Sequence, residues 1–150
     1  MGVQAVPEEY QRLAVTLCVD DGVGAIDLYR ALFGAETQLV LTTGDGRLRH
    51  AQLRVGDSLI LITDEFPEHG TLSPRSTGGS PVTMLIYVED VDDVFDRALA
   101  AGCQPLKAVR DEFYGDRTGK FVDPYGHRWS VATHIEDVSL DEISRRASQS

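Results

Sequence analysis

The chain is poor in cysteine, tryptophan and methionine, with two, one and two of them in 150 residues. Cys18 and Cys103 form neither a disulfide framework nor a CxxC pair, so reduced thiols and a cytoplasmic setting are expected. Long apolar runs are missing too. The longest unbroken aliphatic stretch, Leu59-Ile60-Leu61-Ile62, falls far short of the roughly 18 residues a membrane-spanning helix needs. Residues 1–10 carry no basic stretch followed by an apolar one, so no secretory leader is expected. Positive charge is scarce: 14 Lys and Arg stand against 24 Asp and Glu, a net charge of −10. Such an excess repels phosphate backbones and argues against a nucleic-acid partner.

What is present is an ordinary globular composition, 42% hydrophobic and 25% charged. A chain of this size buries roughly 70% of its unfolded surface, enough for one core or two small modules. The sequence repeats itself. Val19-Asp20-Asp21 and a helical stretch ending at Gly34 answer Val88-Glu89-Asp90 and a stretch ending at Gly102. Gly56 to Thr63 answers Gly126 to Thr133, so the offset stays between 68 and 70 residues. Residues 12–65 and 82–134 therefore read as two modules, joined by a linker at 66–81 and followed by a tail at 135–150.

Each module reads as strand, helix and three strands, which makes the chain α+β. Leu13, Val15, Leu17 and Val19 alternate with Ala14, Thr16 and Cys18, the period of a strand with two unlike faces. The greasy set is expected under the helix, leaving Ala14, Thr16 and Cys18 on the other side. Asp21 is placed to cap a helix whose apolar positions include Val23, Ile26 and Phe33, and Gly34 to end it. Asp45-Gly46 marks a tight two-residue hairpin, and Gly56-Asp57 the next turn. In the second module Val91, Val94, Phe95, Ala98 and Leu99 make a helical stripe opened by Asp90. Asp123-Pro124-Tyr125-Gly126 is a turn sequence, and Ser139-Leu140-Asp141-Glu142 is a capping box that predicts a short helix over 139–147. The linker, rich in Pro and Gly, reads as a connector between modules rather than a lid.

The repeated βαβββ plan, the segment Leu28-Tyr29-Arg30-Ala31-Leu32-Phe33-Gly34-Ala35 and the turn Phe121-Val122-Asp123-Pro124-Tyr125-Gly126-His127-Arg128 together resemble the vicinal oxygen chelate superfamily. That group includes glyoxalase, extradiol dioxygenases and the bleomycin- and fosfomycin-resistance proteins. Phe113-Tyr114-Gly115-Asp116-Arg117 is most similar to its PhnB-like branch. The resemblance implies a curved, half-open mixed sheet with helices outside, a cleft inside and pairing into a homodimer. It also implies metal ligands at Ala14, Ile60, Thr83 and Ser130. None of these side chains is a carboxylate or an imidazole, and neither are their neighbours in sequence, so no metal and no other cofactor is expected.

The remaining chemistry is that of a pocket. Alternation puts His50 on the face of its strand shared with Leu48, Gln52 and Arg54. The expected lining is Ala14, Thr16, His50, Gln52, Ile60, Ile62, Leu85, Tyr87, Ser130 and Ala132, small or apolar with a few hydrogen-bonding groups. Tyr114, Asp116 and Arg117, on the hairpin at the mouth, are candidates for an aromatic platform with an ion pair. His50, Gln52, Tyr87, Tyr114, Asp116, Arg117 and Ser130 are thus the candidate ligand-binding residues. His127 reads as a turn stabiliser, His134 as a solvated strand end, and the two thiols as packing groups. Two functions fit. One is a binding protein that holds a small organic molecule, an antibiotic being one such guest and a cation the kind favoured by the acid excess. The other is a glyoxalase-type lyase, isomerase or dioxygenase using a displaced metal or none.

Overall fold

A computed structural model describes residues 2–149, and the chain divides between Gly79 and Ser80 into two compact units. The first holds strand β1 (Val15–Val19), helix α1 (Gly22–Phe33), strands β2 (Glu36–Thr42), β3 (Leu48–Val55) and β4 (Ser58–Asp64), and the one-turn helix α2 (Pro74–Thr77). The second holds β5 (Thr83–Tyr87), α3 (Val91–Ala100), β6 (Gln104–Asp111), β7 (Asp116–Val122), β8 (Arg128–His134) and the tail helix α4 (Leu140–Ala147). Strand order is β1-β4-β3-β2 in one sheet and β5-β8-β7-β6 in the other. In each, the outer pair β1–β4 or β5–β8 is parallel and the remaining pairs are antiparallel. The parallel pair follows from the helix between the first two strands, which carries the chain back before the meander begins.

Local chemistry explains the helices. Asp21 accepts a bond from Gly24 N at 3.0 Å, and Gly34, at φ 66°, ends α1 with its N–H on Arg30 O. Ala25, Ile26, Tyr29 and Leu32 form the buried stripe. Val23, expected in that stripe, is instead 68% exposed. The position that meets the sheet is its neighbour Gly22, where a Cβ would lie 2.5 Å from Leu48 Cδ2. Asp90 caps α3 by accepting from Asp93 N, and of the expected stripe Val91, Val94, Phe95 and Ala98 are buried beneath it, with Leu99 half-buried. Ser139 accepts from Glu142 N at the start of α4.

In both units a side chain on the last strand ties down the start of the helix. Asp64 accepts from Gly22 N at 2.7 Å and from Leu48 N at 2.6 Å, so one carboxylate joins α1 to β3. Thr133 Oγ1 accepts from Val91 N at 3.0 Å and donates to Val88 O at 2.8 Å. The linker is built rather than loose. Phe66 and Thr71 form a two-way backbone bridge around a turn of 3₁₀ helix at Pro67–His69, and Glu65 accepts from Ser73 N and Ser73 Oγ. Among the described residues no helix is long and apolar enough to cross a membrane.

Candidate functional site

Paired residues on adjacent strands point to one face, so register sorts every side chain. In the first sheet Val15 and Leu17 pair with Ile60 and Ile62, which pair in turn with Leu53 and Ala51. That row is the core under α1. Ile60 and Ile62, expected in the cleft, therefore belong to the other face, since β4 is apolar on both sides and its alternation gave no phase. Leu48 needs a second correction. Thr42 pairs with Leu48 and Leu41 with His50, which leaves Arg49 as an extra residue in β3. This bulge reverses the alternation below His50 and buries Leu48, while His50, alternating with the core residue Ala51, keeps the face away from the helix.

On that face lies an open cleft of about 560 Å³. Thr16 and Thr63 contribute from β1 and β4, and His50 with Arg49 from β3. Thr43 and Arg47 come from the β2–β3 connection, and Phe66, Glu68, His69 and Thr71 from the linker. The connection runs from Thr43 to Arg47, closed by Thr43 N on Arg47 O and Gly46 N on Thr43 O, and is longer than the two-residue hairpin expected at Asp45-Gly46. Its length lets Arg47 reach the linker. The guanidinium bonds Asp45 through Nε at 3.0 Å, grips both oxygens of Glu68 at 3.1 and 2.9 Å, and stands 4.2 Å from the centre of the Phe66 ring. Glu68 is held below the ordinary carboxylate range, chiefly by Arg47. The linker thus forms one wall of the cleft. No periodicity in the sequence announces a pair such as Arg47 and Phe66; of the residues expected in the lining, Thr16 and His50 are the ones found there.

Gln52 is on the same face as His50 but is already engaged. Tyr10 Oη donates to its Oε1 at 3.0 Å, and its Nε2 donates to Gln38 Oε1 at 2.8 Å. Arg54 donates to Glu9 O at 2.8 Å, so the segment before β1 covers this end of the first sheet's free face.

The free face of the second sheet carries a polar chain. Tyr87 pairs in register with Ala132, and its phenol donates to Asp116 Oδ2 at 2.6 Å, so the ring spans β8. Asp116, only 5% exposed, meets His134 Nδ1 at 2.8 Å, and His134 Nε2 meets Asp137 at 2.7 Å. His134 is the exposed strand end that the sequence leads one to expect, and it is also held between two carboxylates. The spacing His134-x-x-Asp137 was the signal available. Nearby Glu112 accepts from Arg110 at 2.9 Å, from Thr118 at 3.3 Å and from Lys107. Arg110 and then Lys107 hold its carboxyl down at about 2 against the opposing effect of burial.

The remaining candidates separate. Asp116 and Arg117 are neighbours and so lie on opposite faces of β7. Arg117 turns to the helix side, where it grips both oxygens of Asp92 at 2.9 and 3.0 Å and Asp111 at 2.9 Å, and no ion pair joins it to Asp116. The platform with an ion pair expected at Tyr114, Asp116 and Arg117 does not assemble. Tyr114 packs edge-on against Phe113, ring centres 5.3 Å apart, in the turn before Gly115. Gly115 has φ 101°, and a Cβ there would strike Glu136 O. Ser130 is buried, flanked in register by Leu85 and Lys120. His127 is buried in its turn, where its N–H and that of Tyr125 donate to Asp123 Oδ1 while Trp129 Nε1 donates to Asp123 Oδ2.

Neither thiol is a nucleophile in waiting. Burial, then Glu65 and Asp64, pushes Cys18 up to about 11, and burial with Asp123 pushes Cys103 up to about 12. The positions at which the resemblance implies a metal do not fit one. Ala14 has no donor atom, Ile60 lies in the helix-side core with apolar Leu59 and Leu61 beside it, and Thr83 and Ser130 offer only neutral hydroxyls. Among the described residues no three His, Cys, Asp or Glu side chains converge elsewhere to hold an ion.

Comparison with known proteins agrees with the topology. A sequence profile described as the Glyoxalase/Bleomycin resistance protein/Dioxygenase superfamily matches residues 12–131. An uncharacterized protein of Mycobacterium bovis is 40% identical over 134 residues, spanning 87% of this chain and 88% of its own length. Among solved structures, TioX from Micromonospora sp. ML1 superposes with a TM-score of 0.63 at 26% identity, covering 83% of this chain and 99% of that one. A PhnB protein from Bacillus cereus reaches 0.65 at 18% identity, covering 82% and 99%. The fosfomycin resistance protein FosX from Listeria monocytogenes, solved with Mn(II) and sulfate, reaches 0.64 at 18% identity, covering 91% and 97%.

Proposed function

The chain belongs to the glyoxalase/bleomycin resistance protein/dioxygenase superfamily, and on that premise we propose that it binds a small organic molecule in the first unit's cleft without a resident metal ion. The observation that carries this reading is a contrast. A cleft of about 560 Å³ stands open and lined by hydrogen-bonding groups, while the positions at which the resemblance implies metal ligands carry Ala14, Ile60, Thr83 and Ser130. A volume of this order suits a drug-sized molecule. Without a bound cation the chelation of substrate oxygens that such an ion provides has no seat, whereas binding needs none. Sequestration of an antibiotic in the cytoplasm is the role such a protein would fill. The reading includes a homodimer, supported by Leu39, Val40 and Leu41, exposed on the edge strand β2. Sedimentation velocity tests that part.

The test is a thermal-shift screen of a small-molecule library with and without EDTA, followed by NMR of the histidine side chains. A ligand that stabilises equally in both and shifts the His50 signal is the expected result. Stabilisation lost on chelation, with stoichiometric metal in the purified protein, would overturn the reading.

One observation favours a second reading, a lyase or isomerase that needs no metal. The nearly buried Asp116 carboxylate collects a phenol and an imidazole on one face of a sheet, an acid–base arrangement. Because both His134 nitrogens face carboxylate oxygens, this group would serve as an acid. Turnover of a carbonyl substrate that disappears in Asp116→Asn without loss of folding is the result that would establish it.

A further inference from the structure

We infer that the guest of the first unit's cleft is a small organic anion, its acidic group seated at Arg49, His50 and His69 and its organic part against Phe66. The inference rests on the binding reading above and gives it a ligand class. It also departs from the overall charge, since a net −10 favours a cation. The lining decides otherwise.

Arg47, Arg49, His50 and His69 line the cleft, and Glu68 is the only carboxylate among its lining residues. Arg47 and Glu68 neutralise each other through the two-bond grip already described, with Asp45 as a further partner of Arg47. That leaves Arg49, His50 and His69. Among the described residues neither Arg49 nor His50 has an ion-pair partner, in a chain where most other arginines do. Their placement is a consequence of the fold. The bulge in β3 inserts Arg49 beside His50, and alternation with the core residue Ala51 aims His50 away from the core. The Phe66–Thr71 bridge holds His69 at the end of its one-turn helix, on the opposite wall. Thr43 and Thr63 already donate to Asp45 and to Asp64 O, while Thr16 and Thr71 add hydroxyls that can donate to an oxyanion. One face of Phe66 is taken by the Arg47 guanidinium, which rigidifies the ring as an apolar surface. A guanidinium with two imidazoles and hydroxyls, set around a concave site with an aromatic wall, is the donor set that a carboxylate or a phosphonate on a compact organic body requires.

The experiment titrates the full chain with phenylphosphonate and benzoate, and with benzyl alcohol and benzylamine as neutral and cationic relatives, following the histidine side chains by NMR in EDTA. The expected result is a saturable shift of His50 and His69 with at least one anion, at least tenfold tighter than with the alcohol. The two anions show which acidic group the site prefers. Arg49→Ala should weaken that binding at least tenfold, and Arg128→Ala, on an exposed strand position of the other unit, should leave it unchanged. Equal or tighter binding of the alcohol or the amine at His50 overturns the anion class and leaves the cleft as a binding site. Anion binding that vanishes in EDTA and returns with metal overturns the metal-free reading and leaves the class. No saturable shift with any of the four, or no effect of Arg49→Ala, overturns the inference.

Discussion

His134 and Asp116 face each other across the β7–β8 pair, Nδ1 to Oδ1 at 2.8 Å, while the ring's other nitrogen meets Asp137 at 2.7 Å. A neutral imidazole has only one N–H, so one of these contacts would set a lone pair against a carboxylate oxygen. The cation satisfies both, and the Asp116 contact, then that to Asp137, raises the His134 pKa above its usual 6.5. A raised folded-state pKa means the stabilisation is complete below about 6.5 and fades as pH climbs through the elevated value. The thermal midpoint of the native chain should therefore exceed that of His134→Gln most at pH 6, and the gap should narrow steadily towards pH 9. A gap that widens with pH would show that the imidazole is neutral.

Asp123 carries the turn before β8. Its carboxylate, 3% exposed, takes the N–H groups of Tyr125 and His127 and the indole N–H of Trp129 at 2.9 to 3.0 Å. Asp123→Ala leaves buried donors unsatisfied and should cost about 3 kcal/mol or more. Trp129 is the single tryptophan, so its fluorescence in a urea titration reads the loss directly. Asp123→Asn, which keeps an acceptor, should cost less.

The parts of this chain that sequence revealed are those in which one residue acts on its near neighbours. Asp21, Asp90 and Ser139 cap helices because a capping side chain reaches only two or three residues along, and Gly34 ends a helix by its own backbone freedom. Alternation works where the two faces differ, as in β1, and fails where they do not. β4 is apolar on both, so its sequence gives no phase, and Ile60 and Ile62 lie on the helix side rather than in the cleft. In β3 one inserted residue, Arg49, reversed the phase and sent Leu48 into the core. The cleft is legible in the sequence only at Thr16 and His50, because its other wall is made by contacts between residues about 20 apart, Arg47 with Phe66 and Glu68. Asp116 and Arg117 were paired by adjacency, although adjacent residues in a strand point apart.

The thiols offer a check on the electrostatics of both units. With Cys18 near 11 and Cys103 near 12, each is almost wholly protonated at pH 8. Alkylation by iodoacetamide at that pH should run more than about 100-fold slower in the native chain than in urea, where an ordinary pKa near 8.5 applies, and slower at Cys103 than at Cys18. Mass spectrometry of both peptides over time measures it. Rapid native labelling of Cys18 would place a cation beside it and reopen nucleophilic chemistry at β1.

Arg47 tests whether the linker is a wall of the site or only a connector. Its guanidinium joins the β2–β3 connection to the 66–71 loop through Glu68 and Phe66, yet lies outside the sheet core. Arg47→Met keeps a comparable apolar stem and removes those ties. The Phe66 and Thr71 amides, whose N–H groups close the loop bridge, should then exchange with solvent at least several-fold faster. The amide of Ile62, in the centre of the sheet, should exchange as before. Binding of any cleft ligand should weaken in proportion, because the aromatic wall must be ordered before it can be used. If exchange at Phe66 and Thr71 rises while affinity holds, the loop is ordered for reasons unrelated to the cleft, and Phe66 drops out of the binding surface.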